Sequence, residues 1–296
     1  MMTTIRSEPS NKTWAAYVFY PLGLMGTLLY IVAEVQGAFG SLGAAYPWYL
    51  AMLIAGCVLW ERIKPLRQEW SMTARSFLIR DLPMLIVNGA TTAGTIWVVT
   101  ALAQASPALP WVRVGSLWWL QALAALVVSD FLNYWLHRYS HEGKGRVAQF
   151  LWRSHSLHHL PEGVYVMMHV AAHPFNAAMV RVILILPAIA LGLSPEAVFA
   201  ASVLGGFQGL VSHFNVDSRA GVFNRILVGT ELHRLHHSAD LAQAKNYAAF
   251  FSVWDQLFGT YVPAQSVIER LGVKDRHEYP ADRQWLQLLL LPFKTK

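Results

Sequence analysis

The chain opens on a polar stretch, MMTTIRSEPSNKT, and then turns apolar from Ala15 to Val35, broken by Pro21 and, late in the run, by Glu34. As a helix rising about 1.5 Å per residue, that run is about 31 Å long, the thickness of a bilayer core. Similar runs follow over Tyr46–Trp60, Leu82–Ala103 and Ser116–Leu136. Ala177–Leu193 and Ala197–Val211 form a closely spaced pair around Gly192-Leu193-Ser194-Pro195, a turn short enough to predict a helical hairpin that dips in and returns. The apolar run Trp285–Phe293 is too short to span and predicts an interfacial or packed segment. The fold expected is all-α: an integral membrane bundle of four transmembrane helices plus the hairpin.

Composition supports this pattern. Of 296 residues, 55% are hydrophobic and 14% charged, against about 25% charged in ordinary soluble domains. The mean hydropathy is +0.35. The net charge of +6 in so apolar a chain points to anionic lipid headgroups rather than nucleic acid. Cys57 is the single cysteine, so no intrachain disulfide forms. No small-residue cleavage site follows the first apolar run.

Basic residues set the expected orientation. Arg6 and Lys12 precede the first run, and Arg62, Lys64, Arg67, Arg75 and Arg80 follow the second. The opposite loops, Gly37–Ala45 and Gln104–Gly115, carry only Arg113. The N-terminus, the loop near residue 70 and the chain after the fourth run are therefore expected on the cytoplasmic side. A bacterial inner membrane is the expected location. Residues 1–115 are read as an N-terminal transmembrane region, 116–262 as a catalytic region and 263–296 as a tail.

All 12 histidines lie at or beyond position 137. Three groups stand out: His137 and His141 in HRYSH; His155, His158 and His159 in HSLHH; His233, His236 and His237 in HRLHH. Side chains three and four apart share a helix face, so each group can aim imidazoles at a metal. Eight imidazoles suit two ions at about four each, and a donor set of neutral nitrogens favours Fe, Zn, Cu or Ni over Mg or Ca. All three groups fall on the predicted cytoplasmic side, as a metal-binding cap. A lone histidine is more often structural than a ligand, and His277 is read as a surface residue. His213 follows the second arm of the hairpin and is a candidate extra ligand. His169 and His173 precede the first arm, with a ligand or supporting role open.

Asp130 lies inside the fourth apolar run, where a carboxylate is costly and usually functional. It shares a helical stripe with Tyr134, His137 and His141. Two roles are open: orienting a ligating imidazole, which makes it a candidate catalytic residue, or a buried hydrogen bond to a neighbouring helix.

From Ser129 to Tyr261 the chain resembles the fatty acid hydroxylase/sterol desaturase family of membrane di-iron oxygenases. The resemblance rests on SDFLNYWLHRYSH, LWRSHSLHH, HPFN, SHFN, ELHRLHH and NYAAFFSVWDQLFGTY. The histidine motifs are shared with membrane desaturases and carotenoid-modifying enzymes; Trp254-Asp255 and Phe258-Gly259-Thr260-Tyr261 are more specific. The match implies ligation of two iron ions by His137, His141, His155, His158, His159, His233, His236 and His237, with His213 a ninth ligand. Zinc can replace iron at imidazole sites. Ala248 stands where family members commonly have Gly, and there is no HPGG haem-binding signature.

The resemblance implies a mixed-function oxidase that takes O2 and electrons from an external donor, of cytochrome b5 or ferredoxin type with a reductase, and hydroxylates or desaturates a sterol, fatty acyl or related lipid. Arg62, Lys64 and Arg67 could bind headgroups or an acidic donor, or reflect membrane topology alone. Alternatives on the same architecture are a carotenoid hydroxylase or an ether-lipid monooxygenase. A non-catalytic metal-binding membrane protein is a further alternative; against transport, Asp130 is the one clear polar candidate within the four spans.

Overall fold

A computed structural model describes residues 14–105, 117–264 and 268–294. Arg6, Lys12, Arg113 and most of the Gln104–Gly115 loop, on which part of the orientation argument rests, lie outside the described residues.

Among the described residues the regular elements are helices, with one isolated bridge between Ser238 and Leu271. Each predicted apolar run forms a helix: α1 (Trp14–Val35), α2 (Tyr46–Ile63), α3 (Leu82–Ala105) and α4 (Trp118–Glu142). Then come α5 (Gly145–His159), the hairpin α6 (Pro174–Ala190) and α7 (Pro195–Ser212), and the short α8 (Thr230–His236), α9 (Val253–Leu257) and α10 (Trp285–Leu289). Two segments, Ala16–Val35 and Gln68–Val99, are long and apolar enough to cross a membrane.

The hairpin is the centre of the bundle. Its first arm packs along α3 and α4, and its second along α1 and α4. The first arm starts three residues before the predicted Ala177 because His173 caps it: its Nδ1 accepts from Phe175 N–H at 3.1 Å, ahead of Pro174 at the first helical position. Gly192, at φ +63°, makes the turn, and Ser194 Oγ caps the returning arm by accepting from Ala197 N–H at 3.3 Å. The C-terminal apolar run packs rather than spans: Phe293 lies edge-on against Phe150 of α5 and Phe175 of α6.

Buried carboxylates tie loops to helix ends. Glu34 accepts from Tyr30 O–H at 2.8 Å and from the Gly43 and Ala45 N–H groups at 3.0 Å, fixing the α1–α2 turn. Glu61, at the end of α2, accepts from Val166 N–H and Asn215 N–H, each at 2.8 Å. That joins α2 to the segments before and after the hairpin, which brings the histidine-bearing elements to one end of the bundle.

Candidate metal centre

Between α4 and α5 the chain turns at Gly143, where a Cβ would overlap the Tyr139 carbonyl. The tight turn sets His137 and His141 of α4 against His155 and His159 of α5. His213 follows α7 directly, and α8 packs against α7 and carries His233 and His236, with His237 as its C-cap.

Nine imidazoles meet there in two groups. His137, His141, His155, His159 and His236 form one; His158, His213, His233 and His237 form the other, with ligand atoms within 4.8 Å of one another in each. The HxxHH runs do not act as triplets. Positions i and i+4 of each run enter one group and position i+3 enters the other, so neighbours such as His236 and His237 face different ways. The groups abut through His159 and His237, whose rings stack at 4.4 Å.

The nitrogen geometry tests whether a metal fits. In the first group the Nε2 atoms of His137 and His155, and of His155 and His159, are 2.9 Å apart, and those of His159 and His236 are 3.1 Å apart. In the second, His158–His213 and His213–His233 stand at 3.0 Å and His233–His237 at 3.2 Å. Nitrogens bound about 2.1 Å from one ion, at right angles to each other, stand about 3.0 Å apart.

Tautomers sharpen the test. His158 Nδ1 lies 3.2 Å from the Ala171 carbonyl and His213 Nδ1 2.8 Å from the Gly209 carbonyl. A carbonyl only accepts, so each Nδ1 carries the proton and each Nε2 presents a lone pair. Burial pushes His158 down to about 3, with His169 adding to the effect, so the ring is neutral. His158 and His213 therefore point lone pair at lone pair across 3.0 Å, a repulsive contact that a cation between them converts to an attractive one. His137 and His236 are fixed in the same tautomer by the Tyr247 and Lys245 carbonyls, at 2.7 and 2.9 Å. His141 Nε2 is buried with no partner. Burial and neighbouring rings hold His155, His159, His233, His236 and His237 well below the ordinary histidine range. The residues fit metal ions, and each group could hold one.

Residues 122–260 match the fatty acid hydroxylase family. The matched stretch contains all nine clustered histidines. The chain is 30% identical over 217 residues to an ornithine lipid hydroxylase of Rhizobium tropici, covering 70% of this chain and 64% of that protein. It is 30% identical over 158 residues to an alkylglycerol monooxygenase of Danio rerio, covering 52% of this chain and 32% of the relative. A sphinganine C4-monooxygenase of Arabidopsis thaliana is 25% identical over 146 residues, covering 48% and 54%. The chain thus spans about a third to two thirds of the length of these relatives. No solved structure shows a significant match.

Within this fatty acid hydroxylase region, Asp130 does not orient an imidazole directly. Its two oxygens accept from Ala249, Phe250 and Phe251 N–H groups at 3.1, 2.9 and 2.7 Å. Three consecutive amides fill the carboxylate, which satisfies N–H groups that would otherwise be left unpaired where this segment packs on α4. Asp130 thus holds the segment whose Tyr247 carbonyl receives His137 Nδ1–H.

Asp255 braces the same segment from the other side. It accepts from Tyr247 N–H at 2.7 Å, Ala248 N–H at 3.0 Å and Thr260 O–H at 2.7 Å. Burial raises its carboxyl to about 6, against the lowering effect of those donors. Asn246 adopts φ +59°, and its amide bridges the Leu232 and Val262 carbonyls. Sequence reasoning assigned no role to Asn246, Asp255 or Glu61. The first two stand in the NYAAFFSVWD string, and Glu61 closes an apolar run as Asp130 interrupts one.

His173 serves the α6 cap, with Nε2 3.0 Å from the Leu289 carbonyl. His169 lies outside both groups, its ring 5.3 Å from His213 and its Nδ1 unpartnered. On the outer side a cavity of about 310 Å3 reaches His141 and His159 past Trp152 and Tyr279.

Proposed function

We propose that this chain is a membrane di-iron oxygenase that hydroxylates or desaturates a lipid, using O2 and electrons from an external donor. The observation that carries the metal assignment is the lone-pair contact between His158 and His213 at 3.0 Å. His137, His141, His155, His159 and His236 would hold one iron, and His158, His213, His233 and His237 the other. The pair would supply activation of O2 for attack on an unactivated C–H bond. The relatives named above act on an ornithine lipid, an alkylglycerol and a sphingoid base, which supports a membrane lipid as substrate. An ether lipid is the second reading, favoured by the alkylglycerol monooxygenase match.

The chain's own residues orient the ligands and exclude water. Backbone carbonyls of Ala171, Gly209, Lys245 and Tyr247 hold four rings with Nε2 inward. Seven of the nine rings are buried, and the cavity beside His141 and His159 is the opening that the structure shows toward them. Four spans with the cap on the cytoplasmic side complete the proposal. Supporting it, α2 exposes Trp48, Met52 and Leu59, and α4 exposes Trp119, Leu123, Leu132 and Trp135 while burying Asp130 and Asn133. Such large exposed apolar faces suit lipid.

The test is lipid profiling by mass spectrometry of cells expressing the native chain or His236→Ala. The native chain is expected to add an oxygen atom to one lipid class, or remove two hydrogens from it, and the variant to do neither. Identical profiles, with both proteins in the membrane, would contradict the proposal.

A further inference from the structure

A second cavity, of about 560 Å3, opens between the segment leading into α3 (residues 73–80), the turn after α5 and the C-terminal segment. No histidine lines it, and four guanidiniums do: Arg75, Arg80, Arg276 and Arg283, against the carboxylates of Glu162 and Asp282. Arg80 and Arg276 are committed. Arg80 is buried and pairs with Asp81 at 2.9 Å and Asp282 at 3.0 Å; Arg276 pairs with the other oxygen of Asp282 at 3.1 Å. Asp282 is thus shared between two cations. Arg75 and Arg283 are exposed at the cavity and have no hydrogen bond or ion pair among the described residues. Thr73 and Ser76, on the same wall, satisfy each other.

The cavity sits at the end of an apolar helix. Leu78, between lining residues, and Leu85 and Ile86, further along the helix, are exposed and belong to the segment 68–99 that is long and apolar enough to cross a membrane. A positively charged recess thus continues into an apolar face, which matches a headgroup followed by acyl chains. Guanidinium forks suit phosphate oxygens.

We propose that this cavity binds the phosphate headgroup of an anionic phospholipid through Arg75 and Arg283, with the acyl chains lying on the Leu78–Ile86 face. The proposal rests on the membrane reading of α3 and not on the metal centre. Its far wall is Leu160–Glu162, the turn directly after His159, so the lipid would brace the end of α5.

The experiment is native mass spectrometry of the full chain in detergent, titrated separately with phosphatidylglycerol, phosphatidylcholine and inorganic phosphate. Phosphatidylglycerol is expected to bind roughly tenfold or more tightly than phosphatidylcholine, and the Arg75→Ala/Arg283→Ala chain to lose that preference while keeping its metal content. Equal binding of the two lipids, or an unchanged preference in the variant, would overturn the proposal. Inorganic phosphate displacing phosphatidylglycerol at comparable concentration would overturn the lipid source and assign the cavity to a soluble anion. If the double variant does not fold, Arg283→Ala alone, at an exposed position without a partner, reads the same loss.

Discussion

At the residue scale, the centre depends on which nitrogen of each ring carries the proton. Four backbone carbonyls make that choice, so a change that moves a carbonyl acts on the metal from a distance. Asp130→Ala frees the three amides that hold the Ala249–Phe251 turn. It is expected to lower activity or metal affinity roughly 10- to 100-fold while the chain still inserts; unchanged activity would reduce Asp130 to a structural residue. His158→Ala removes a nitrogen from the second group only. It is expected to cost about half of the bound metal, as read by elemental analysis; loss of none would argue against the grouping.

The buried rings also set a pH dependence. His158 is held down to about 3 in the folded chain, whereas an unfolded histidine titrates near 6.5. Between those values the unfolded chain binds more protons, so this contribution to stability is present above about 6.5 and is lost as pH falls toward about 3. Thermal unfolding of the metal-free chain should therefore shift to lower temperature as pH drops through that window. A melting temperature independent of pH there would contradict it.

At the element scale, the order of helices was legible because apolar runs of bilayer length and a short Gly-Leu-Ser-Pro turn leave few options. What spacing could not show is how HxxHH divides. On one helix i and i+4 stand about 40° apart, whereas i+3 stands about 100° from i+4, and the structure uses that difference to feed two groups from α5 and from the end of α8. Asp130 was legible as unusual but not in its role, because its partners are amides about 120 residues away whose folding back no local pattern announces. Where two elements nearly touch, the packing is testable. A Cβ on Gly209 would press on the His169 ring, and the Gly209 carbonyl holds His213. Gly209→Ala is expected to destabilise the chain by roughly 1–3 kcal/mol, measured by thermal unfolding; a neutral effect would show that α7 can shift at no cost.

At the scale of the whole molecule, an apolar bundle presents a histidine-lined centre at one end, closed by the 246–261 segment and the C-terminal run. Two carboxylates, Asp130 and Asp255, hold that closing segment from opposite sides, so the metal groups and the bundle are built as one unit. The claim that joins these levels is that each group holds its own ion. The most direct test is iron content with Mössbauer spectroscopy on protein purified gently in detergent from cells grown on iron-57. About two irons per chain with a magnetically coupled signal are expected. One iron or none, in chain shown to be folded, would contradict it.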